Sequence, residues 1–280
     1  MKMNENELTI VTTVYNEPLS IVEPCLISLS KQENVKNIEV LFLDQSSNIL
    51  FKNLCDSLDS KNIRFRYIRI PTKSLSFARN YGMKKAKNNL ILFCDSDCIL
   101  DSNWAHNILI ILTRENVGVV GTKVVGKWLK KPSWYHDSNI IKAFYSLIDL
   151  GDHIIKVDKV VGASFGINLK RISNEAYFDE SLGRQRGILL GGEETDLCKR
   201  IRNLNLNIIY TPFAIAYHQI PKERVNIRWI LNRIYMGGVS RSLTKSKPNT
   251  FPFKKNLKDY LLILLIIIPY FLGLIRGKFL

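Results

Sequence analysis

The apolar residues of this chain fall into short β-branched runs set between stretches of helical spacing. Leu8–Thr13 (LTIVTT), Ile38–Leu43 (IEVLFL) and Leu90–Cys94 (LILFC) are short and almost continuously apolar. That is the pattern of strands buried on both faces. Ile63–Ile70 alternates as a strand does, Val117–Val125 and Gly162–Lys170 are strand-like, and Ile208–Tyr210 and Ala214–Tyr217 read as two further short strands. Helical spacing follows Pro18 through Leu26, Leu29 and Ser30, and recurs over Ser76–Lys87, Asn103–Thr113 and Thr195–Asn203. Arg224–Leu243 reads as an amphipathic basic helix weakened at Gly237-Gly238. Strands alternating with helices predict βαβ units, an α/β chain with a mostly parallel sheet flanked by helices. Ligands of such sheets lie beyond the carboxyl ends of the strands, so the residues just after each strand carry the most information. The sequence holds no internal repeat and no low-complexity tract.

Charge changes this picture at one end. The 280 residues carry 40 Lys and Arg against 25 Asp and Glu, a net charge of +15. A surface of that sign attracts polyanions, whether nucleic acid, anionic lipid or diphosphate. Ten of the basic residues lie between Lys222 and Lys258, where the only acid is Glu223. Tyr260–Ile275 follows as an uncharged and almost wholly apolar segment, closed by Arg276 and Lys278. A polybasic run beside an apolar segment binds anionic head groups at about 1 kcal/mol per basic residue. Sixteen helical residues reach about 24 Å, short of the roughly 30 Å of bilayer hydrocarbon, and Pro269 adds a kink. An interfacial or re-entrant anchor fits this segment better than a full span, and a buried core helix is the alternative. The opening MKMNENELTIV has no signal-peptide pattern, and five cysteines without a Cys-x-x-Cys pair argue for a reduced compartment. The expected organisation is a catalytic unit over 1–221, a basic helical region over 222–258 and a membrane-associated segment over 259–280. This places the protein at the cytoplasmic face of a membrane, anchored or peripheral through its C-terminus.

Three constellations carry candidate chemistry. Asp95-Ser96-Asp97 follows an apolar strand, where two carboxylates suit a hard divalent cation shared with substrate phosphates. Gly191-Gly192-Glu193-Glu194-Thr195-Asp196 sets three carboxylates at a helix start. Acids there are commonly caps, and one held ionised by the helix dipole also suits a general base. His218, just after a short strand, is a candidate nitrogen ligand that would complete a metal site with Asp95 and Asp97. Gly121 to Lys127 imitates a phosphate-binding loop, but Trp128 stands where Ser or Thr is required and the segment reads as strand. No Gly-x-Gly-x-x-Gly follows the first strand, which counts against a dinucleotide-binding domain.

In their order and spacing these motifs resemble family 2 glycosyltransferases of GT-A fold, over nearly the whole of residues 7–245. The resemblance rests on Thr13-Val14-Tyr15-Asn16-Glu17, Asp44-Gln45-Ser46-Ser47, Phe77-Ala78-Arg79-Asn80, Asp95-Ser96-Asp97, Gly192-Glu193-Glu194-Thr195-Asp196, Tyr210-x-Pro212 and Tyr217-His218. It implies an inverting transfer from a nucleotide-diphosphate sugar of UDP, dTDP or GDP type, assisted by Mn²⁺ or Mg²⁺. Thr13, Tyr15 and Glu17 would border the nucleoside, Asp44 and Gln45 would reach the base, and Arg79 would contact the donor side. Asp95, Ser96 and Asp97 would face the ribose and diphosphate, with Asp97 the direct metal ligand. Many uridine-using members have an acid where Gln45 stands, and the Gln45 carbonyl is left to accept the base N3–H. Glu194 aligns with the catalytic base, usually Asp in the family, with Glu193 as the fallback. Arg184, Arg186 and Asp196 would lie on the diphosphate or acceptor side. Arg228-Trp229 matches the end of the Gln-x-x-Arg-Trp motif of processive synthases, but Val225 stands at the Gln position, so transfer of one sugar is expected. By analogy with the family, the acceptor is a lipid-linked glycan. Two rivals are a catalytically inactive membrane scaffold, which predicts broken acidic motifs, and a nucleic-acid-binding protein, which leaves Asp95, Asp97, Glu193 and Glu194 without a purpose.

Overall fold

The computed structural model describes residues 7–185, 188–245 and 262–280. Strands β1 (Leu8–Val14), β2 (Ile38–Asp44), β3 (Ile63–Arg69) and β4 (Leu90–Asp95) pair in parallel in the order β3-β2-β1-β4. Antiparallel β8 (Ser164–Asn168) joins β4 to β6 (Val117–Trp128), and β6 runs parallel to β9 (Asn207–Ile220). Two short strands, β5 (Cys98–Leu100) and β7 (Ile155–Lys156), pair antiparallel with β9. The result is a mixed α/β sheet whose first half is parallel, as the alternating pattern requires.

Period-two alternation decides which layer each side chain joins. On one face, Leu8, Ile10 and Val14 of β1 and Val40 and Phe42 of β2 pack with Val22, Cys25 and Leu26 of α1 (Leu19–Ser30). Helix α4 (Trp104–Leu112) covers the same face. On the other face, Val11 and Leu41 pack with Ala78 and Met83 of α3 (Leu75–Lys85) and with Leu197 and Ile201 of α7 (Glu193–Asn203). The five cysteines are free and buried within these layers. Short helices α2 (Lys52–Ser57), α5 (Asn139–Phe144) and α6 (Leu169–Ile172) complete the connections.

Three elements differ from the sequence pattern for identifiable reasons. The two short strands expected at 208–210 and 214–217 are one strand, β9. Pro212 has no N–H to give the ladder, so the β6–β9 register slips between Thr122 and Lys123 and pairing then resumes. The strand expected over 162–170 is shorter, because the chain turns into α6 at Leu169. Helix α7 starts at Glu193, two residues early. Its cap Gly192 sits in the left-handed region at φ 102°, which draws both glutamates into the first turn. The segment from Gly121 to Lys127 that imitates a phosphate loop lies inside β6.

Helix α8 (Ile227–Thr244) runs unbroken through Gly237-Gly238, and the reason is its partner α9 (Ile263–Gly277). A Cβ on Gly238 would collide with the Tyr270 carbonyl oxygen, and one on Gly273 with that of Tyr235. The two backbones therefore touch, as small residues allow. Ile230 and Ile234 of α8 join the same core as β1, so the described part of the basic region packs continuously onto the catalytic unit. The remainder of the expected basic run, 246–258, lies outside the described residues, as do Asp259, Tyr260 and Leu261. On its other side α9 exposes Ile267, Ile268, Phe271, Leu272 and Ile275. Among the described residues no helix is long and apolar enough to cross a membrane. The expected anchor is thus half packed and half exposed.

Replacing Gly273 with Leu should pry α9 from α8 and cost roughly 1–3 kcal/mol, as overpacking does. Hydrogen exchange of the α9 amides should accelerate while the β1 and β4 amides stay protected. Unchanged exchange in α9 would show that the glycine contact does not hold the pair.

Candidate functional site

The parallel strands end together. The register sets Thr13 beside Asp95 and Val14 beside Asp44, at the crevice where the neighbours of β1 diverge. Thr13, Tyr15, Glu17, Gln45, Asp95, Ser96, Asp97 and Arg184 line one cleft there, together with Lys73 and Arg224. Nine of the expected site residues are thus gathered by topology alone: these eight, with His218 reaching the cleft through Asp97. Strand β5 begins immediately after Asp97 and pairs with β9 so that Cys98 faces His218. The His218 Nε2 consequently lies 3.1 Å from Asp97 Oδ2, and Arg224 Nη1 lies 3.2 Å from the same oxygen. His218 Nδ1 lies 2.8 Å from the Tyr145 carbonyl, which requires that nitrogen to carry a proton.

Other expected residues lie elsewhere. Asp44 is fully buried. Its carboxylate accepts the Ser46 N–H and the Tyr67 hydroxyl, each at 2.7 Å, so it braces the turn and does not reach a base. Arg79 is also buried and does not line the cleft. It donates to Glu193 Oε1 at 2.9 Å, to Asp95 Oδ1 at 3.2 Å and to the Gly162 carbonyl at 2.7 Å. Its guanidinium is enclosed by the rings of Phe93, Phe165 and Phe178. The expected donor contact is therefore a strut joining the strand-end acids to the start of α7. Asp196 is bound by Arg200 at 2.9 Å, an i,i+4 pair on α7. Arg186 lies outside the described residues. Gln45 reaches the cleft, but its Oε1 already accepts the Lys73 N–H at 2.9 Å. One of the two lone pairs of that carbonyl is thus used, and the other is left for a ligand.

Sequence reasoning missed Arg224, Arg233 and Lys73. Arg224 and Arg233 register in the sequence only as members of the basic run. Arg233, on α8, donates to the Leu189 carbonyl at 2.6 Å and so fixes the loop before the glutamates. Burial pushes its guanidinium down to about 10, with repulsion from Arg184 acting in the same direction.

The acids divide into two kinds. Burial opposes ionisation of Asp97, but His218, Arg224 and Arg184 more than offset it and hold this carboxyl well below the usual range. Burial pushes Glu193 up to about 8, Glu194 beside it adds to the rise, and Arg79 pulls back without winning. Burial also raises Glu17 to about 7, against the Tyr15 N–H that donates to it at 2.6 Å. Arg184 sits among Asp95, Asp97, Glu193 and Glu17, which together raise its pKa against the effect of burial.

The chemistry fits a divalent cation in part. Asp97 Oδ1 and His218 Nε2 are buried and have no hydrogen-bond partner. A cation between them would be held by Asp97 Oδ1 and by the Nε2 of the His218 tautomer that carries its proton on Nδ1. Asp95, expected as a third ligand, is turned to Arg79 instead. Among the described residues no group of three or more His, Cys, Asp or Glu is arranged to hold a metal. Asp97 and His218 could hold such an ion only in part, with phosphate and water oxygens left to supply the other ligands.

A family model described as Glycosyl transferase family 2 matches residues 9–168. Glycosyltransferase GlyA of Streptococcus pneumoniae serotype 4 (strain ATCC BAA-334 / TIGR4) is 27% identical over 266 residues, covering 91% of this chain and 37% of GlyA. The chain thus spans little more than a third of that relative's length. Among solved structures, the mannosyltransferase PcManGT from Pyrobaculum calidifontis, in complex with GDP-Man and Mn²⁺, superposes with a TM-score of 0.64 at 13% identity, over 97% of this chain and 75% of that one. GalNAc-T7 with UDP, GalNAc and Mn²⁺ gives 0.61 at 13% identity, over 88% of this chain and 52% of that one. At such identity both show a shared fold.

A carboxyl whose pKa is higher folded than unfolded stabilises the fold most below its unfolded value and loses that contribution as pH rises. For Glu193 the window runs from 4.5 to about 8. Glu193→Gln carries a permanently neutral amide, so its melting temperature should fall less than that of the parent between pH 5 and 8.5, by at least about 3 °C. Parallel pH–melting curves would show that Glu193 is not the group with the raised pKa.

Proposed function

This chain belongs to glycosyl transferase family 2, and from that premise we propose that it moves one sugar from a nucleotide-diphosphate sugar to a lipid-linked glycan acceptor. The transfer inverts the anomeric carbon and takes place at the cytoplasmic face of a membrane. The observation that carries this reading is the joining of the strand-end acids to the start of α7 by Arg79, which binds Asp95 and Glu193. Asp97, held ionised beside His218, lies on the donor side. The Glu193–Glu194 pair lies at the other end of the strut.

Each residue then has a task. Thr13, Tyr15 and Glu17 border the nucleoside. Arg184 and Arg224 face the diphosphate, whose growing charge on departure they offset. Asp97 and His218 would hold a divalent cation, which supplies Lewis-acid stabilisation of the leaving diphosphate when bound. PcManGT and GalNAc-T7 both have Mn²⁺ in their complexes, one with a guanosine and one with a uridine nucleotide, so the fold is compatible with either base. Glu194 takes the proton of the attacking acceptor hydroxyl. Glu193, bound to Arg79, keeps the pair in place and prevents both carboxylates from ionising at once.

Single transfer is supported by Trp229, whose ring stacks on Tyr145 at 4.7 Å and belongs to packing under α8. Membrane association is supported by the exposed apolar face of α9 and by Arg276 and Lys278 beyond it. The acceptor follows from that association, since a glycan presented on a lipid is met at the surface where α9 sits.

Calorimetric titration of UDP, dTDP and GDP, each with Mn²⁺ and with chelator, tests the donor site. One nucleotide should bind with the metal and lose at least tenfold in affinity with chelator or in Asp97→Asn. A folded protein that binds none of them would remove the donor reading. Glu194→Gln should keep nucleotide affinity while transfer of labelled sugar to a total lipid extract falls about 10²- to 10⁴-fold, the usual worth of a general base. Full transfer by that variant would remove Glu194 from the role. Flotation with anionic vesicles should require residues 262–280, and equal flotation of the truncated chain would overturn the anchor.

A further inference from the structure

Tyr145 is buried at the end of α5 and does not line the cleft, yet both of its polar groups lead to Asp97. Its carbonyl is one of those that a helix end leaves over, and it accepts the His218 Nδ1–H at 2.8 Å. Its hydroxyl donates to the Arg224 carbonyl at 2.7 Å. His218 Nε2 and Arg224 Nη1 in turn lie 3.1 and 3.2 Å from Asp97 Oδ2.

The direction of the hydroxyl bond is fixed from both ends. A carbonyl can only accept, so the Tyr145 hydroxyl spends its single proton on Arg224. His136 Nε2, 3.2 Å from the same hydroxyl oxygen, must then be a donor. On the far side of that imidazole the Ser133 N–H donates to Nδ1 at 3.0 Å, which requires Nδ1 to be bare. The Ser133 carbonyl, 3.1 Å from Nδ1, is then a contact and not a bond. Both ends demand the same neutral tautomer, and burial, which lowers the His136 pKa, favours it. Hydrogen bonds thus run from Ser133 through His136 and Tyr145 to Arg224. The Tyr145 ring is held by Trp229, stacked at 4.7 Å, and by Trp128, edge-on at 5.1 Å.

We propose that Tyr145 is a positioning residue for the donor site, orienting His218 through its carbonyl and Arg224 through its hydroxyl, and so presenting both to Asp97 and to the diphosphate. The proposal rests on the nucleotide-sugar reading above. Tyr145→Phe isolates the hydroxyl, because it keeps the carbonyl and the stacked ring. The Arg224 carbonyl would retain only the Asn226 N–H, which donates to it at 3.0 Å, and the buried His136 N–H would lose its acceptor.

Calorimetric titration of UDP, dTDP and GDP with Mn²⁺, on wild type, Tyr145→Phe, Arg224→Ala and the double variant, tests the hydroxyl. The nucleotide that wild type binds should bind Tyr145→Phe about threefold to tenfold more weakly, the worth of one hydrogen bond. In the Arg224→Ala background the same change should cost less than about twofold, because the group it positions is gone. A tyrosine that only supports the fold would cost the same in both backgrounds. Equal losses overturn the proposal, as does a folded Tyr145→Phe that binds like wild type. Nitrogen-15 spectra of histidine-labelled wild type read the hydrogen bonds without any substitution. The His136 ring should carry its proton on Nε2, and the His218 ring should carry one on Nδ1. A proton on His136 Nδ1, or a bare His218 Nδ1, overturns the proposal and leaves the donor reading standing. Failure of wild type to bind any of the three nucleotides overturns both.

Discussion

The site depends on one buried cation. Arg79 lies beneath the cleft with Asp95 at one edge of its guanidinium, Glu193 at another, the Gly162 carbonyl at a third position and three phenylalanine rings around it. A buried guanidinium tolerates this burial only with such partners, and the partners in turn need it. Asp95 ends a strand of the parallel half, Glu193 opens α7, and Gly162 belongs to the connection into β8. Three segments distant in sequence are thereby held at fixed separation. Neutral replacement of Arg79 would leave Asp95 without its counter-charge and Glu193 Oε1 without its donor, a loss of the order of 3–5 kcal/mol for a broken buried pair.

This strut also joins two acid sites that behave differently. Asp97 has His218 and Arg224 on the same oxygen and stays ionised, with a second oxygen free for a ligand. Glu193 shares the cation bonded to it, Arg79, with Asp95 and has Glu194 as a neighbour, so burial prevails and its proton is held. Environments that push the pKa values of two carboxyls apart assign them separate work. Here the ionised one suits a cation and the coupled pair suits proton transfer.

Much of this was legible in the sequence, and the failures have a common cause. The strands of the parallel half were visible because burial on both faces leaves an uninterrupted apolar run. Asp97 and Glu193 were visible because each stands at the edge of an element, and His218 because it follows an apolar run, although it lies inside β9. What the sequence did not reveal was direction. Asp44, Arg79 and Asp196 all lie in recognisable motifs, yet Tyr67, Glu193 and Arg200 respectively claim them. Two of these three partners are distant in the chain or on another element, and periodicity is silent on such contacts. Arg224 and Arg233 were hidden for the opposite reason, inside a basic run whose residues look alike until packing separates them. The unbroken α8 was misread because a diglycine weakens an isolated helix, whereas here it admits the backbone of α9.

Helix α8 connects that tail to the chemistry. One side of it carries Arg233, whose guanidinium holds the Leu189 carbonyl, and Ser240, whose hydroxyl accepts the Gly191 N–H at 3.0 Å. Gly192 is pressed against Ser240 and Thr244, where a Cβ would have no room. These contacts set the loop from which Glu193 and Glu194 emerge. The opposite side carries Gly238 and Val239, against which α9 packs. The same helix therefore reads the position of the apolar tail and fixes the approach to the glutamate pair. A surface that seats α9 would hold α8, and with it the loop, in the arrangement seen here. Through α8 the C-terminal helix is thus joined to the scaffold of the candidate site.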